Sequence, residues 1–137
     1  SAASDVYKRQ EYTSEAAQRL LNEAARYLGT PYVWGGYSPS GFDCSGFVSY
    51  CLTHSGVRNT GRLTAQGLYD ICTPVSQSEA QPGDLIFFTG TYDAGVPVTH
   101  IGIYVGNGQM IHCGHPVQYT SINSPYWQSH FYGFGRW

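Results

Sequence analysis

The sequence predicts an α+β domain, with helices first and an antiparallel sheet after them. Three observations carry that expectation. Apolar residues at helical spacing occupy the first half of the chain, from Ala16 to about Cys72. Alternating segments rich in β-branched and aromatic residues fill the second half, punctuated by turn signals such as Asn107-Gly108. Composition agrees, with only 12% charged and 42% hydrophobic residues, 17 glycines and 12 tyrosines. That mixture suits strands and turns around a groove for polar ligands, and neither a disordered chain nor a highly charged helical bundle. A chain of 137 residues has room for one core and not two.

The opening stretch "SAASDVYKRQEYT" is polar and lacks helical periodicity. It is expected to be a linker or an expression remnant over residues 1–13, ahead of a single domain over 14–137. It also lacks the apolar run of a signal peptide. Thr13 or Ser14 can cap a first helix, with Glu15 in its first turn. Ala16, Ala17, Leu20, Leu21, Ala24, Ala25 and Leu28 repeat along one face until Gly29 and Pro31 stop the helix. A Gly-, Pro- and aromatic-rich loop follows. From Asp43 the pattern is helical again, with Phe47, Val48, Cys51 and Leu52 on one face and Gly56 at the end. Thr64–Cys72 reads as a short third helix. "QPGDLIFF" is a turn and a strand, and "VPVTHIGIYVG" and "QMIHCG" form a hairpin about Asn107-Gly108. "VQYTSI" and "FYGFGRW" are later strands, separated by a helical turn at "SPYWQ".

Several classes are disfavoured at once. Net charge is −2 with no basic run, so nucleic acid binding has little electrostatic basis. No stretch approaches the roughly 18 apolar residues of a membrane span. The four cysteines contain no C-x-x-C pair and are too few for a disulfide framework. Cys51, Cys72 and Cys113 are expected to be buried apolar thiols.

Cys44 is different, because it falls in the first turn of a largely buried helix. Free backbone N–H groups and the positive dipole end favour a thiolate there, and the same groups can hold an oxyanion. The neighbouring Asp43 would oppose ionisation, so its carboxylate is expected to cap the helix or meet a cationic group. A nucleophilic thiol needs a base, and of the five histidines the hairpin singles out His100 and His112. Counted from the turn, both can stand on one face of the pair as near neighbours. One can take the Cys44 proton while the other orients its ring. The two could equally be a zinc pair, with Cys44 or Cys113 as a third ligand. Consecutive residues on a strand point to opposite faces, which argues against a site shared by His112 and Cys113. His54 and His115 are expected to be bystanders.

In chain order, "TPYVWGG", "DCSGFV", "QPGDLIFF", "THIGIYVGNGQMIH" and "GFGRW" resemble the NlpC-type cysteine peptidases of bacterial cell walls, over about Ala17–Trp137. The later segment is similar to the peptidase half of CwlT-like two-domain wall hydrolases, which join such a domain to an N-terminal muramidase. The resemblance implies a papain-like fold, no cofactor or metal, and a monomer that is secreted or associated with the bacterial cell wall. It implies Cys44 as nucleophile, His100 as general base and acid, His112 as the residue orienting His100, and Tyr32 as support for the oxyanion. Asp43 and Ser45 match positions that meet the L-Ala amine and D-Glu carboxylate of a peptidoglycan stem peptide. Thr64 and Trp34 are further expected substrate contacts, and Tyr37 and Trp127 are expected to line the groove with Trp34. The implied activity is a DL-endopeptidase cutting between γ-D-Glu and the diamino acid. A wall amidase of the same fold and a wall-binding module without catalysis are the alternatives. One departure stands out: "TGRLTAQ" has Leu63 between Arg62 and Thr64 and no proline, which puts the role of Arg62 in doubt.

Overall fold

A computed structural model describes residues 11–137. Helix α1 is Ser14–Ala25, and the Thr13 hydroxyl accepts the Ala16 N–H at 3.0 Å to cap it. Ala16, Ala17, Leu20 and Ala24 are its buried face. The apolar spacing runs on to Leu28, but the helix stops three residues earlier and Leu28 is 46% exposed. There the chain turns, with Thr30 N–H bonded to Tyr27 O and Gly29 at a φ of 88°, and leaves toward Pro31. Packing begins before the expected domain boundary. Tyr12 donates to Pro82 O at 2.9 Å, leans on Trp137 and lies beneath the Arg136 guanidinium. Tyr12 and Thr13 therefore belong to the fold rather than to a linker. The rest of the expected linker, residues 1–10, lies outside the described residues.

The glycine-rich loop holds a small hairpin that the sequence did not announce, β1 (Tyr37–Ser38) with β2 (Gly41–Phe42). Helix α2, Cys44–His54, follows directly, and all of it but Tyr50, Thr53 and His54 is buried, as befits a helix apolar on most sides. The loop lies so close to its first turn that a Cβ at Gly46 would come within 1.9 Å of Gly36 O. Helix α3, Ala65–Ile71, is capped by Thr64. The strands are β3 (Thr73–Val75), β4 (Leu85–Thr89), β5 (Val98–Gly106), β6 (Gln109–Cys113), β7 (Val117–Ser121) and β8 (Phe131–Arg136), with helix α4 (Pro125–His130) before the last. Their order in the sheet is β3-β8-β4-β5-β6-β7, each pair antiparallel. The β5–β6 turn is Asn107-Gly108, both at positive φ as a tight hairpin turn requires.

Alternation divides the sheet into two unlike faces. Leu85, Phe87, Ile101, Ile103, Ile111, Cys113 and Val117 pack against the helices in the main core. Ile86, Phe88 and Met110 lie on the other face, with Phe134, Ile122 and Trp127 of α4 over them. His100 and His112 share the parity of this second face. The paired residues of β5 and β6 run from Ile103 and Ile111 to the turn, and no pair forms on the His100 side. Cys44 of the helical layer and His100 of β5 nevertheless line one cleft.

Candidate active site

Cys44 is the first residue of α2 and is 8% exposed, its thiol directed at the Thr99 carbonyl of β5, 3.9 Å away. Asp43 is the N-cap, and its Oδ1 accepts the Gly46 N–H at 2.7 Å. Its Oδ2 accepts the Gly35 N–H at 3.0 Å and the Arg62 guanidinium at 2.5 Å. Arg62 also donates to Ser45 Oγ at 3.0 Å. The carboxylate beside the thiol is thus turned into the cap and already faces a cation. Arg62, left in doubt by the sequence, is what ties Asp43 to Ser45.

On the sheet, His100 Nε2 lies 2.9 Å from His112 Nδ1, and His112 Nε2 lies 2.8 Å from Thr120 Oγ1. Trp127 stacks on His100 at 5.2 Å and meets His112 edge-on. Gly102 gives the pair its closeness, since a Cβ there would sit 3.2 Å from the His112 Cβ. Cys113 faces the other way and donates its thiol to Phe42 O, so it shares no site with His112. Among the described residues, no group of three or more His, Cys, Asp and Glu side chains is placed to hold a metal ion.

A cleft of about 610 Å³ brings together Cys44, His100, Tyr32, Asp43, Ser45 and Arg62. Thr64 lines it as well, although its hydroxyl accepts the Gly67 N–H to cap α3. Trp34 stands at the cleft, 73% exposed and edge-to-face with Tyr92. Tyr37 and Trp127, expected in the groove, do not line it. Tyr37 packs on Tyr50 in the helical layer, and Trp127 backs the histidines from the opposite face of the sheet. Two ties fix the cleft's far wall: Gln66 of α3 accepts the Val98 N–H, and the Thr99 hydroxyl bonds Thr91. The bystander histidines are placed elsewhere, with His54 stacked on Tyr50, His130 against Thr89 O and His115 exposed before Pro116.

Burial sets the charge state of the site. It pushes the Cys44 thiol up to about 11, with Asp43 adding to the effect, and this outweighs the lowering expected at a helix N-terminus. Burial, then His112, pulls His100 down to about 3, and burial alone pulls His112 down to about 4. At neutral pH the resting site is a neutral thiol beside neutral imidazoles. Burial, then Cys44, pushes the Tyr32 hydroxyl up to about 12, so it remains a hydrogen-bond donor.

These shifts make the fold acid-sensitive. Unfolded histidine titrates near 6.5, while His112 in the fold titrates at about 4. Between those values the unfolded chain binds more protons, so the contribution is full above pH 6.5 and is lost as pH falls toward 4. Stability in urea should decline across that window by up to roughly 1.4 kcal/mol per pH unit for the buried His112. His112→Gln should make the decline shallower, with the buried His100 still contributing, and an equally steep one in that variant would show that other groups cause it.

Helices packed on an antiparallel sheet, with a thiol at a helix start and His100 lining the same cleft, define an α+β domain of papain-like architecture. The chain belongs to the NlpC/P60 family, whose model matches residues 29–136. It is similar to the bifunctional muramidase/DL-endopeptidase CwlT of Bacillus subtilis, 44% identical over 121 residues, covering 87% of this chain and 36% of that protein. The probable endopeptidase p60 of Listeria seeligeri is 48% identical over 118 residues, 85% of this chain and 21% of that protein. Among solved structures, an NLP/P60 family protein described as similar to lipoprotein, from Staphylococcus aureus Mu50, superposes with a TM-score of 0.86 at 42% identity, covering 94% of this chain and 43% of that one. The chain thus spans only a third to a fifth of the curated relatives' length.

Proposed function

We propose that residues 12–137 are a cysteine peptidase domain that hydrolyses peptidoglycan stem peptides between γ-D-Glu and the diamino acid. The observation that carries this reading is the 2.9 Å His100–His112 pair sharing one cleft with the Cys44 thiol. The similar proteins, a bifunctional muramidase/DL-endopeptidase and a probable endopeptidase, support it. Because His100 Nε2 is engaged with His112, Nδ1 is the ring atom free to act as base. As the Cys44 sulfur bonds to the carbonyl carbon, its proton moves to His100 Nδ1. The Cys44 backbone N–H and the Tyr32 hydroxyl hold the oxyanion. His100 returns the proton to the leaving amine as the C–N bond breaks. A water, deprotonated by the same histidine, then cleaves the thioester and frees the thiol.

Ser45 and Arg62 offer a hydroxyl and a guanidinium in contact with each other, a fit for the D-Glu carboxylate. Asp43 supplies a carboxylate acceptor opposite the L-Ala nitrogen, an amide N–H in a sugar-linked stem peptide, with Trp34 and Thr64 on the same cleft. The setting this implies is the bacterial cell wall, with the domain secreted or wall-associated, acting as a monomer, and joined in a longer protein to an N-terminal muramidase.

Purified protein incubated with muropeptides should leave L-Ala–D-Glu on the sugar fragment and release a peptide beginning with the diamino acid, read by mass spectrometry. Release of the whole stem peptide from the lactyl group would instead make the domain an amidase. Wall binding without any cleavage would make it a binding module.

A further inference from the structure

Thr120 lies outside the cleft, yet it ends the chain of polar contacts that begins at His100. His112 is 3% exposed, and its ring nitrogens have one contact each, Nδ1 to His100 Nε2 at 2.9 Å and Nε2 to Thr120 Oγ1 at 2.8 Å. A neutral imidazole carries one proton, so these contacts can run in only two directions. If Thr120 donates to Nε2, then His112 donates from Nδ1 to His100 Nε2. His100 then carries its proton on Nδ1, the atom needed as base, and cannot accept another. If Thr120 accepts instead, His112 holds its proton on Nε2 and accepts from His100 Nε2–H at Nδ1. His100 Nδ1 is then a free lone pair.

We infer that Thr120 is a positioning residue: its hydroxyl oxygen accepts the His112 Nε2 proton and thereby fixes both histidines in the tautomers that leave His100 Nδ1 unprotonated. The inference rests on the proposed role of His100 as base. Thr120 is half-buried, so its own hydroxyl hydrogen can turn to water while the oxygen faces His112. Strand register makes the placement firm. On β7, Gln118 stands opposite His112 and Thr120 opposite Met110, which puts Thr120 diagonally across from His112 on the same face. The same direction serves the transition state, because an imidazolium at His100 gains from a lone pair, and not a proton, on His112 Nδ1.

The test joins nitrogen-15 NMR of the histidine side chains with kinetics on muropeptides. In the wild-type protein without substrate, both His100 and His112 should be the Nε2–H tautomers. Finding His112 as Nδ1–H would overturn the inference whatever the enzyme's activity. Thr120→Val keeps the shape and removes the acceptor, so the buried Nε2–H loses its partner and the tautomer should switch. The rate constant kcat should then fall roughly ten- to hundred-fold with little change in KM, and Thr120→Ser should restore most of it. A Thr120→Val protein with wild-type tautomers and kcat would also overturn it. So would a loss of rate that Thr120→Ser does not rescue. If the wild-type protein cleaves no muropeptide, the proposed function fails, while the NMR measurement still decides the tautomers.

Discussion

Cys44→Ala should abolish muropeptide cleavage while leaving the fold intact. The thiol is 8% exposed and donates to Thr99 O only at a long 3.9 Å, so truncation to alanine removes one atom and no strong hydrogen bond. The helix cap depends on Asp43 and not on Cys44, so α2 still begins in the same place. What is lost is the proposed nucleophile, and the rate should drop by at least about a thousand-fold. Cys44→Ser should be equally inactive, because a buried hydroxyl is a poorer nucleophile than a thiol. His100→Ala should match both. His112→Ala should retain a residue of activity, since it removes the support of the base rather than the base. Circular dichroism and thermal melts would establish folding, and mass spectrometry the products. Persistent cleavage by Cys44→Ala would remove the nucleophile assignment.

Asp84→Ala produces the largest loss of stability of any single substitution considered. Asp84 is fully buried and accepts two hydrogen bonds from Arg136, from Nε and Nη2, each at 2.7 Å, and one from the Gln81 N–H at 2.7 Å. It thereby fastens the start of β4 to the end of β8, and Tyr12 stacks on the same guanidinium. Removing one partner of a buried pair leaves the other charge uncompensated, at a cost of about 3–5 kcal/mol. Arg136 is 31% exposed and can partly rehydrate, which places the expected loss near the lower end, about 3 kcal/mol. The melting temperature should fall by roughly 10 °C. Asp84→Asn retains an acceptor and should lose less. A melting temperature unchanged in Asp84→Ala would mean that this pair contributes nothing net.

Much of the site was legible before any coordinates. Asp43 ahead of a buried apolar run marked a helix start, and Cys44 fell at its first position. Asn107-Gly108 fixed the hairpin, and parity counted from it put His100 and His112 on one face and Cys113 on the other. The same parity could have found Thr120, once Gln118 was placed opposite His112. Arg62 could not be found this way. It lies in an irregular loop 19 residues from Asp43, and no periodicity relates the two. Trp127 was misplaced because an aromatic residue on a short helix carries no mark of the sheet face it will cover.

The sequence by itself determined the local geometry: where each helix starts, where the hairpin turns and which strand residues share a face. These follow from capping, turn conformation and alternation, which act over a few residues. Tertiary packing was needed to bring the nucleophile candidate and His100 to one cleft. Cys44 and Thr99 are 55 residues apart, and they approach because α2 packs against β5. It likewise decided the resting charge state, since a helix N-terminus alone would lower the thiol while burial beside Asp43 raises it. Desolvation depends on everything packed around a group, and that is a property of the folded chain.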